Sequence, residues 1–185
     1  MARLAELETV LEATLIDVLA GRMNPARLTI REYSDDLAPY FHDIDADWIN
    51  DMFRVESTDR EALENPHAWI VDPSGVILFA EAKGLGIVST CALQKMDERS
   101  FELTKMGVQT FARGLKVGEF LLRVVIERAT QIGAEPFFLL IDTKCVAGIR
   151  LYEKAGFQRD ADIVARYGER QSRCDVAMRY AFGPT

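Results

Sequence analysis

The run from Glu102 to Gly118 (Glu-Leu-Thr-Lys-Met-Gly-Val-Gln-Thr-Phe-Ala-Arg-Gly-Leu-Lys-Val-Gly) constrains this chain more than any other stretch. Phe101 to Val108 reads as a short strand, and a basic turn bearing Gly114 and Gly118 follows it. From Glu119 to Gly133, Phe120, Leu121, Val124, Val125 and Ala129 recur at helical spacing, so the turn opens an amphipathic helix. Strand, glycine turn and helix in succession form an anion site. The first N–H groups of a helix lack internal acceptors, and the helix dipole adds partial positive charge there. Arg113 and Lys116 bring full charges to the same place. Taken alone, such a stretch reads equally well as a plain structural turn. Two phosphate-loop classes are excluded, because neither Gly-x-x-x-x-Gly-Lys-Ser/Thr nor Gly-x-Gly-x-x-Gly with a downstream ribose-binding acid occurs.

The next strand and turn sharpen the reading. Phe137 to Ile141 is the continuous apolar run of a buried strand, and Ile149-Arg-Leu-Tyr-Glu-Lys-Ala-Gly-Phe157 comes after it. Arg113-Gly-Leu-Lys-Val-Gly118 followed by that segment resembles the GNAT N-acetyltransferase superfamily. There the first element is written Arg/Gln-x-x-Gly-x-Gly/Ala and the second ends in Leu-Tyr-x-Lys-x-Gly-Phe. The resemblance covers roughly Ala68 to Phe182. It implies an α/β (α+β) fold with a mixed, mostly antiparallel central sheet flanked by helices. It also implies transfer of an acetyl group from acetyl-CoA, as cosubstrate, to a primary amine by direct attack.

Read in order, the chain opens with Leu4, Leu7, Leu11, Leu15 and Val18 on one stripe, an amphipathic helix broken at Asn24-Pro25. Residues 1–25 are therefore set apart as an extra N-terminal helix, and 26–185 as a single acetyltransferase domain. The helix either packs on its own domain or pairs with a second copy as a homodimer. Arg27 to Tyr33 reads as the first strand. A helix then starts at Ser34 or Asp35 and carries Phe41, Ile44, Trp48, Ile49 and Met52, and a shorter one begins at Ser57. Ala68 to Val71, Val76 to Ala82 and Ile87 to Leu93 read as strands of an antiparallel meander. Ala161 to Ala165 and Cys174 to Tyr180 read as a final hairpin around a polar loop at 167–173.

The resemblance assigns roles to individual residues. Arg113, Gly114, Leu115, Lys116, Val117 and Gly118 should hold the CoA pyrophosphate, the glycines letting the backbone approach. Lys116 stands where the family often has glycine. The strand splays from its neighbour in the family, so backbone groups of Met106, Gly107 and Val108 should pair with the pantetheine arm. The Met106 N–H should polarise the thioester carbonyl. Glu102 is the expected base, acting directly or through water, and its even separation from Met106 predicts that both project from one face. A surface glutamate paired with Lys105 or Arg123 is the alternative for Glu102. Tyr152 should protonate the leaving thiolate. Many members carry asparagine where this chain has Cys145, and Asp142 lies just upstream to contact CoA in its place. A ping-pong acyl-cysteine is set aside, because nothing near Cys145 in sequence would activate it. Trp48, Tyr167, Arg170 and Arg173 are the candidate acceptor contacts, the arginines for a substrate carboxylate.

Totals bound the rest. The 185 residues suit one domain with a good-sized core, at 49% hydrophobic content. A net charge of -7 argues against nucleic-acid binding. Cys91, Cys145 and Cys174 lack the spacing of a disulfide framework or a zinc site, so no metal is expected. Without an apolar run long enough for a bilayer or a signal sequence, the expected setting is cytoplasmic, with no membrane partner. The expected acceptor is a small-molecule or amino-acid-like amine. A protein lysine or N-terminus comes second, and a non-catalytic CoA-binding regulatory protein third.

Overall fold

The structure, a computed structural model, describes residues 28–52, 57–170 and 174–182. The expected N-terminal helix, Phe53, Arg173, and the side chains of Trp48 and Arg170 lie outside what is described.

A seven-stranded sheet organises the domain, in the order β1-β2-β3-β4-β5-β7-β6. Its strands are β1 (Leu28–Glu32), β2 (Val76–Ala82), β3 (Gly86–Lys95), β4 (Phe101–Val108), β5 (Phe137–Ile141), β6 (Phe157–Arg159) and β7 (Val176–Tyr180). Every neighbouring pair is antiparallel except β4 with β5, which is parallel. The expected mixed, mostly antiparallel sheet is therefore present.

Strand alternation divides the apolar residues between the two faces. On one face, α3 (Val117–Gln131) and α4 (Val146–Ala155) cover Leu78, Ala80, Leu93, Phe101, Leu103, Phe137 and Leu139. On the other, α1 (Ala38–Met52) and α2 (Ser57–Glu64) close over Ile77, Phe79, Ile87 and Ala92 with Phe41, Ile44, Ile49 and Leu63. Farther along that second face, α5 (Ala161–Tyr167) packs Ile163 and Tyr167 onto Phe138 and Ala177. The two apolar clusters of the second face are separate, and β4 lies between them.

Two local expectations are corrected. Ala68 to Val71 belongs to a π-helical turn, His67–Val71, instead of a strand. The turn abuts Gly75, where a Cβ would lie 2.4 Å from the Ile70 carbonyl oxygen and 2.6 Å from that of Leu93, so only glycine lets the chain enter β2 there. Ala161 to Ala165 is helical. The Asp160 carboxylate accepts from the N–H groups of Asp162 and Ile163, capping α5, and the i, i+4 pair Ile163 and Tyr167 turns inward. The last antiparallel pair is β6 with β7.

Candidate functional site

β4 and β5 begin as a parallel pair and then part. Their register contains only Phe101 with Phe137 and Glu102 with Phe138, although β4 runs on to Val108 and β5 to Ile141. A wedge therefore opens between the two strands at the centre of the sheet. Backbone groups on the β5 side of β4 face this wedge, and an extended ligand can pair with them as another strand would.

A bulge in β4 decides which groups those are. Phe101 N–H donates to the Pro136 carbonyl, so alternation points the amides of Glu102 and Thr104 toward β3. Past the irregularity, Gln109 N–H donates to Val88 on β3. Alternation counted back from Gln109 turns the amides of Val108 and Met106 away from β3, into the wedge. One extra β4 residue makes the change: Thr90 pairs with Gly107 and Ala92 with Thr104, so three steps on β4 oppose two on β3. The inserted residue is Lys105, at φ 50°.

The bulge also overturns the shared face expected of Glu102 and Met106. Glu102 pairs with Gln94 and with Phe138, on the face of α1, α2 and α5. Met106 packs with the α3 and α4 cluster on the opposite face. Four residues separate them, but the inserted residue reverses the alternation.

At the wide end of the wedge, a short 3-10 turn (Thr110–Ala112) leads into α3. Gly114 has φ 81°, and Lys116, at the helix N-cap, has φ 62°. The position the family often fills with glycine thus keeps a glycine-like conformation here, at a cost of about 1 kcal/mol for a side-chain-bearing residue. Phe120 N–H donates to Lys116, which leaves the amides of Val117, Gly118 and Glu119 without intrahelical acceptors. Gly118 seats this helix end: its missing Cβ would lie 3.5 Å from Val108, 3.7 Å from Leu151 and 3.7 Å from Met106. Arg113 is exposed, its Nε–H reaching the Val108 carbonyl at 3.4 Å.

Tyr152 comes to the same side chain, Met106, from α4. α4 stops at Gly156, whose φ of 106° provides the expected C-cap. Ile149 and Tyr152, three residues apart, are buried on its inner side. The Tyr152 hydroxyl donates toward the Met106 sulfur at 3.5 Å, and its ring meets Phe157 edge-on at 5.7 Å. Burial, ahead of nearby Cys91, Cys145 and Asp45, pushes the phenol well above its usual pKa, so it stays protonated. Cys145 occupies the N-cap position of α4, its N–H on the Asp142 carbonyl, and the Asp142 carboxylate accepts from Lys144 N–H. Both residues are half-buried beside the wedge strand β5.

On the other face β4 presents only polar side chains between the two apolar clusters: Glu102 (3% exposed), Thr104 and Lys105. The Lys105 ammonium meets the Asp59 carboxylate of α2 at 2.6 Å, with both side chains nearly inaccessible. Sequence reasoning missed this pair. It offered Lys105 only as one alternative surface partner for Glu102, and nothing local to Asp59 announces a partner 46 residues away.

Tyr167 corrects a further expectation. Its ring stacks on Phe138 at 4.7 Å, and its hydroxyl donates to Asp97 at 2.9 Å and lies 3.3 Å from Ser100 Oγ. The ring is buried under α5, so Tyr167 fastens the β3–β4 connection and does not offer a free grip to a substrate carboxylate.

A sheet that splits at its centre, with a helix N-terminus and a protonated phenol both set against Met106, defines a cleft for a long, extended anionic ligand. Residues 41–157 match the acetyltransferase (GNAT) family, and the chain belongs to that family. It is an acyltransferase that uses acetyl-CoA. Solved structures share the fold. A GNAT-family acetyltransferase from Staphylococcus aureus Mu50 superposes with a TM-score of 0.73 at 20% identity, covering 83% of this chain and 98% of that one. The PaiA N-acetyltransferase from Thermoplasma acidophilum, solved with coenzyme A, gives 0.66 at 18%, covering 84% and 99%. A ribosomal-protein-alanine N-acetyltransferase from Brucella melitensis gives 0.60 at 23%, covering 71% and 85%. No curated protein matches the chain in sequence. Among the described residues, no helix is long and apolar enough to cross a membrane, and no cluster of His, Cys, Asp and Glu is arranged to hold a metal ion.

Proposed function

We propose that this enzyme acetylates the primary amine of a small molecule by direct attack on acetyl-CoA held in the β4–β5 wedge. The observation that carries the reading is the convergence of Met106, Gly118 and Tyr152 at one place in that wedge. The amides of Val117, Gly118 and Glu119, with Arg113, Gly114, Leu115 and Lys116, receive the pyrophosphate. Backbone groups of Met106 and Val108 pair with the pantetheine arm, with Asp142 and Cys145 on the opposite bank. Gly107, expected to join them, instead turns its backbone to β3, where it pairs with Thr90 and accepts from the Ser89 hydroxyl.

In the transfer, the amine nitrogen bonds to the acetyl carbon, and the thioester C–S bond breaks. Met106 N–H, turned into the wedge, hydrogen-bonds the carbonyl oxygen as charge builds on it. Glu102, on the acceptor face, takes the proton the amine must lose, directly or through water. Tyr152 donates its hydroxyl hydrogen to the departing sulfur. Because its phenol is less acidic than a free thiol, near pKa 8.5, a strong hydrogen bond fits the geometry better than complete proton transfer.

The small size of the acceptor rests on the covering of β4. Its second-face side chains Glu102, Thr104 and Lys105 are buried, which favours a small acceptor over a protein segment that must lie along the strand. Acetyl-CoA consumption, followed as free thiol across amino acids, polyamines, aminoglycosides and short peptides, tests the reading. Turnover confined to small amines supports it, and turnover confined to peptides overturns the acceptor assignment. Acetyl-CoA binding with silence across the panel favours the regulatory alternative.

A further inference from the structure

We infer that Asp59 and Lys105 are positioning residues, whose buried ion pair holds the β4 bulge that turns the Met106 amide into the wedge. The inference rests on the proposed role of Met106 N–H at the thioester carbonyl, and adds the device that keeps this amide aimed.

The β4 ladder is pinned on both sides of the bulge. Upstream, Ala92 pairs with Thr104; downstream, Thr90 pairs with Gly107, and the Ser89 hydroxyl donates to the Gly107 carbonyl at 2.7 Å. Lys105 and Met106, in between, have no register partner on β3. The positive φ of 50° at Lys105 is one that a side-chain-bearing residue resists and glycine adopts freely. Without an external hold, the segment relaxes toward an ordinary extended strand, and the bulge slides or spreads. Each such change rotates the Met106 amide out of the wedge, because the bulge alone reverses its direction.

The ion pair is that hold. Lys105 and its neighbour Thr104 both face the α1–α2 side, and the lysine stem runs to Asp59 on α2, 2.6 Å from ammonium to carboxylate. Both charges are buried, so pulling one away from the other is costly in the interior. A left-handed lysine, unfavourable by itself, is locked by the cost of separating the pair. The same contact ties α2, a wall of the acceptor side, to the backbone group that acts on the cofactor side. The two sides of the reaction are thereby held in one geometry.

Two double variants separate this from a simple packing role. Asp59→Leu with Lys105→Met removes both charges and leaves an ordinary side chain at the bulge. Asp59→Leu with Lys105→Gly removes the same charges but supplies the one residue that keeps a positive φ unaided. Removing both partners avoids the destabilisation of taking one buried charge from its counter-ion. The readout is the infrared carbonyl band of [1-13C]acetyl-CoA bound to each protein, which shifts to lower frequency when an amide polarises the thioester. The expected result is a wild-type displacement that survives in the glycine variant and disappears in the methionine variant, with acetyl-CoA still bound by both. If both variants keep the displacement, or both lose it, the ion pair does not hold the bulge. If wild-type protein binds acetyl-CoA with no displacement, the role of the Met106 amide falls, and this inference with it.

Discussion

Glu102 and Met106 stand on one strand, four residues apart, yet their side chains leave opposite faces of the sheet. The strand thus divides the labour proposed for it, with Glu102 toward the acceptor and Met106 toward the cofactor. Glu102→Gln should lower kcat by roughly 10²- to 10³-fold, the range typical of losing a positioned base. The calorimetric Kd for acetyl-CoA should stay within about twofold, because the changed group is on the other face. Unchanged kcat with the acceptor found by the amine panel would assign proton removal elsewhere.

Tyr152→Phe keeps the ring and its edge contact with Phe157 but removes the hydroxyl beside the Met106 sulfur. The predicted loss in kcat is about 10- to 100-fold, the scale of one hydrogen bond to a developing charge. The pH profile carries a second check. Burial raises the phenol pKa, so Tyr152 keeps its proton through neutral and mildly alkaline solution. An alkaline fall in kcat below about pH 10 that vanishes in the phenylalanine variant would contradict this placement.

These two residues illustrate what the sequence displays and what it hides. The helix that carries Tyr152, capped at Gly156, and the turn that opens the helix at Gly118 are legible because each is a contiguous run whose local geometry is self-determined. The opposite faces of Glu102 and Met106 are not. They depend on a bulge set by the pairing of β3 with β4, a relation between strands that residue parity cannot register. The same distinction applies at Ala161–Tyr167. Ala-Asp-Ile-Val-Ala suits a strand by composition, and becomes a helix because Asp160 caps it and Phe138 receives Tyr167 from a distant strand. The mostly antiparallel sheet was accessible from its alternating runs, whereas the Asp59–Lys105 contact joins residues with no local signal in common.

Lys116 offers a test of backbone strain separate from charge. Its φ of 62° favours glycine, so Lys116→Gly should raise stability by about 1 kcal/mol in urea denaturation, while Lys116→Ala should not. Both variants lose the same cation, and both should weaken acetyl-CoA binding by roughly fivefold, as expected of one solvent-exposed charged contact. Equal stabilities of the two variants would show that the left-handed turn carries no cost there.

Gly118→Leu should weaken acetyl-CoA binding by at least about tenfold. A Cβ alone fits at ordinary contact distance, but a longer side chain must enter the junction of Val108, Leu151 and Met106 or the ligand path beside it. Gly118→Ala should bind nearly as wild type. Comparable losses in the two variants would point to backbone freedom, not space, as the requirement.

Asp97 links the β3–β4 connection to α5. Hydrogen bonds from Ser100, side chain and backbone, and from Tyr167 hold its carboxyl down to about 2. A depressed carboxylate stabilises the fold above its unfolded value near 3.9, and that contribution fades as pH falls through the folded value. Asp97→Asn should therefore cost roughly 0.5–1 kcal/mol near neutrality, a modest figure because the group is solvent-exposed. The gap should close as the pH drops from about 5 toward 2. A gap independent of pH would mean that the carboxylate charge is not the stabilising feature.

The central claim, that the β4–β5 wedge and the turn into α3 hold acetyl-CoA, is tested most directly by amide hydrogen exchange with and without the ligand. Peptides spanning residues 103–108 and 113–119 should exchange more slowly when acetyl-CoA is bound, with β1 and β6 unchanged. Saturating acetyl-CoA that leaves 103–119 unprotected, or protects another surface instead, would contradict the account.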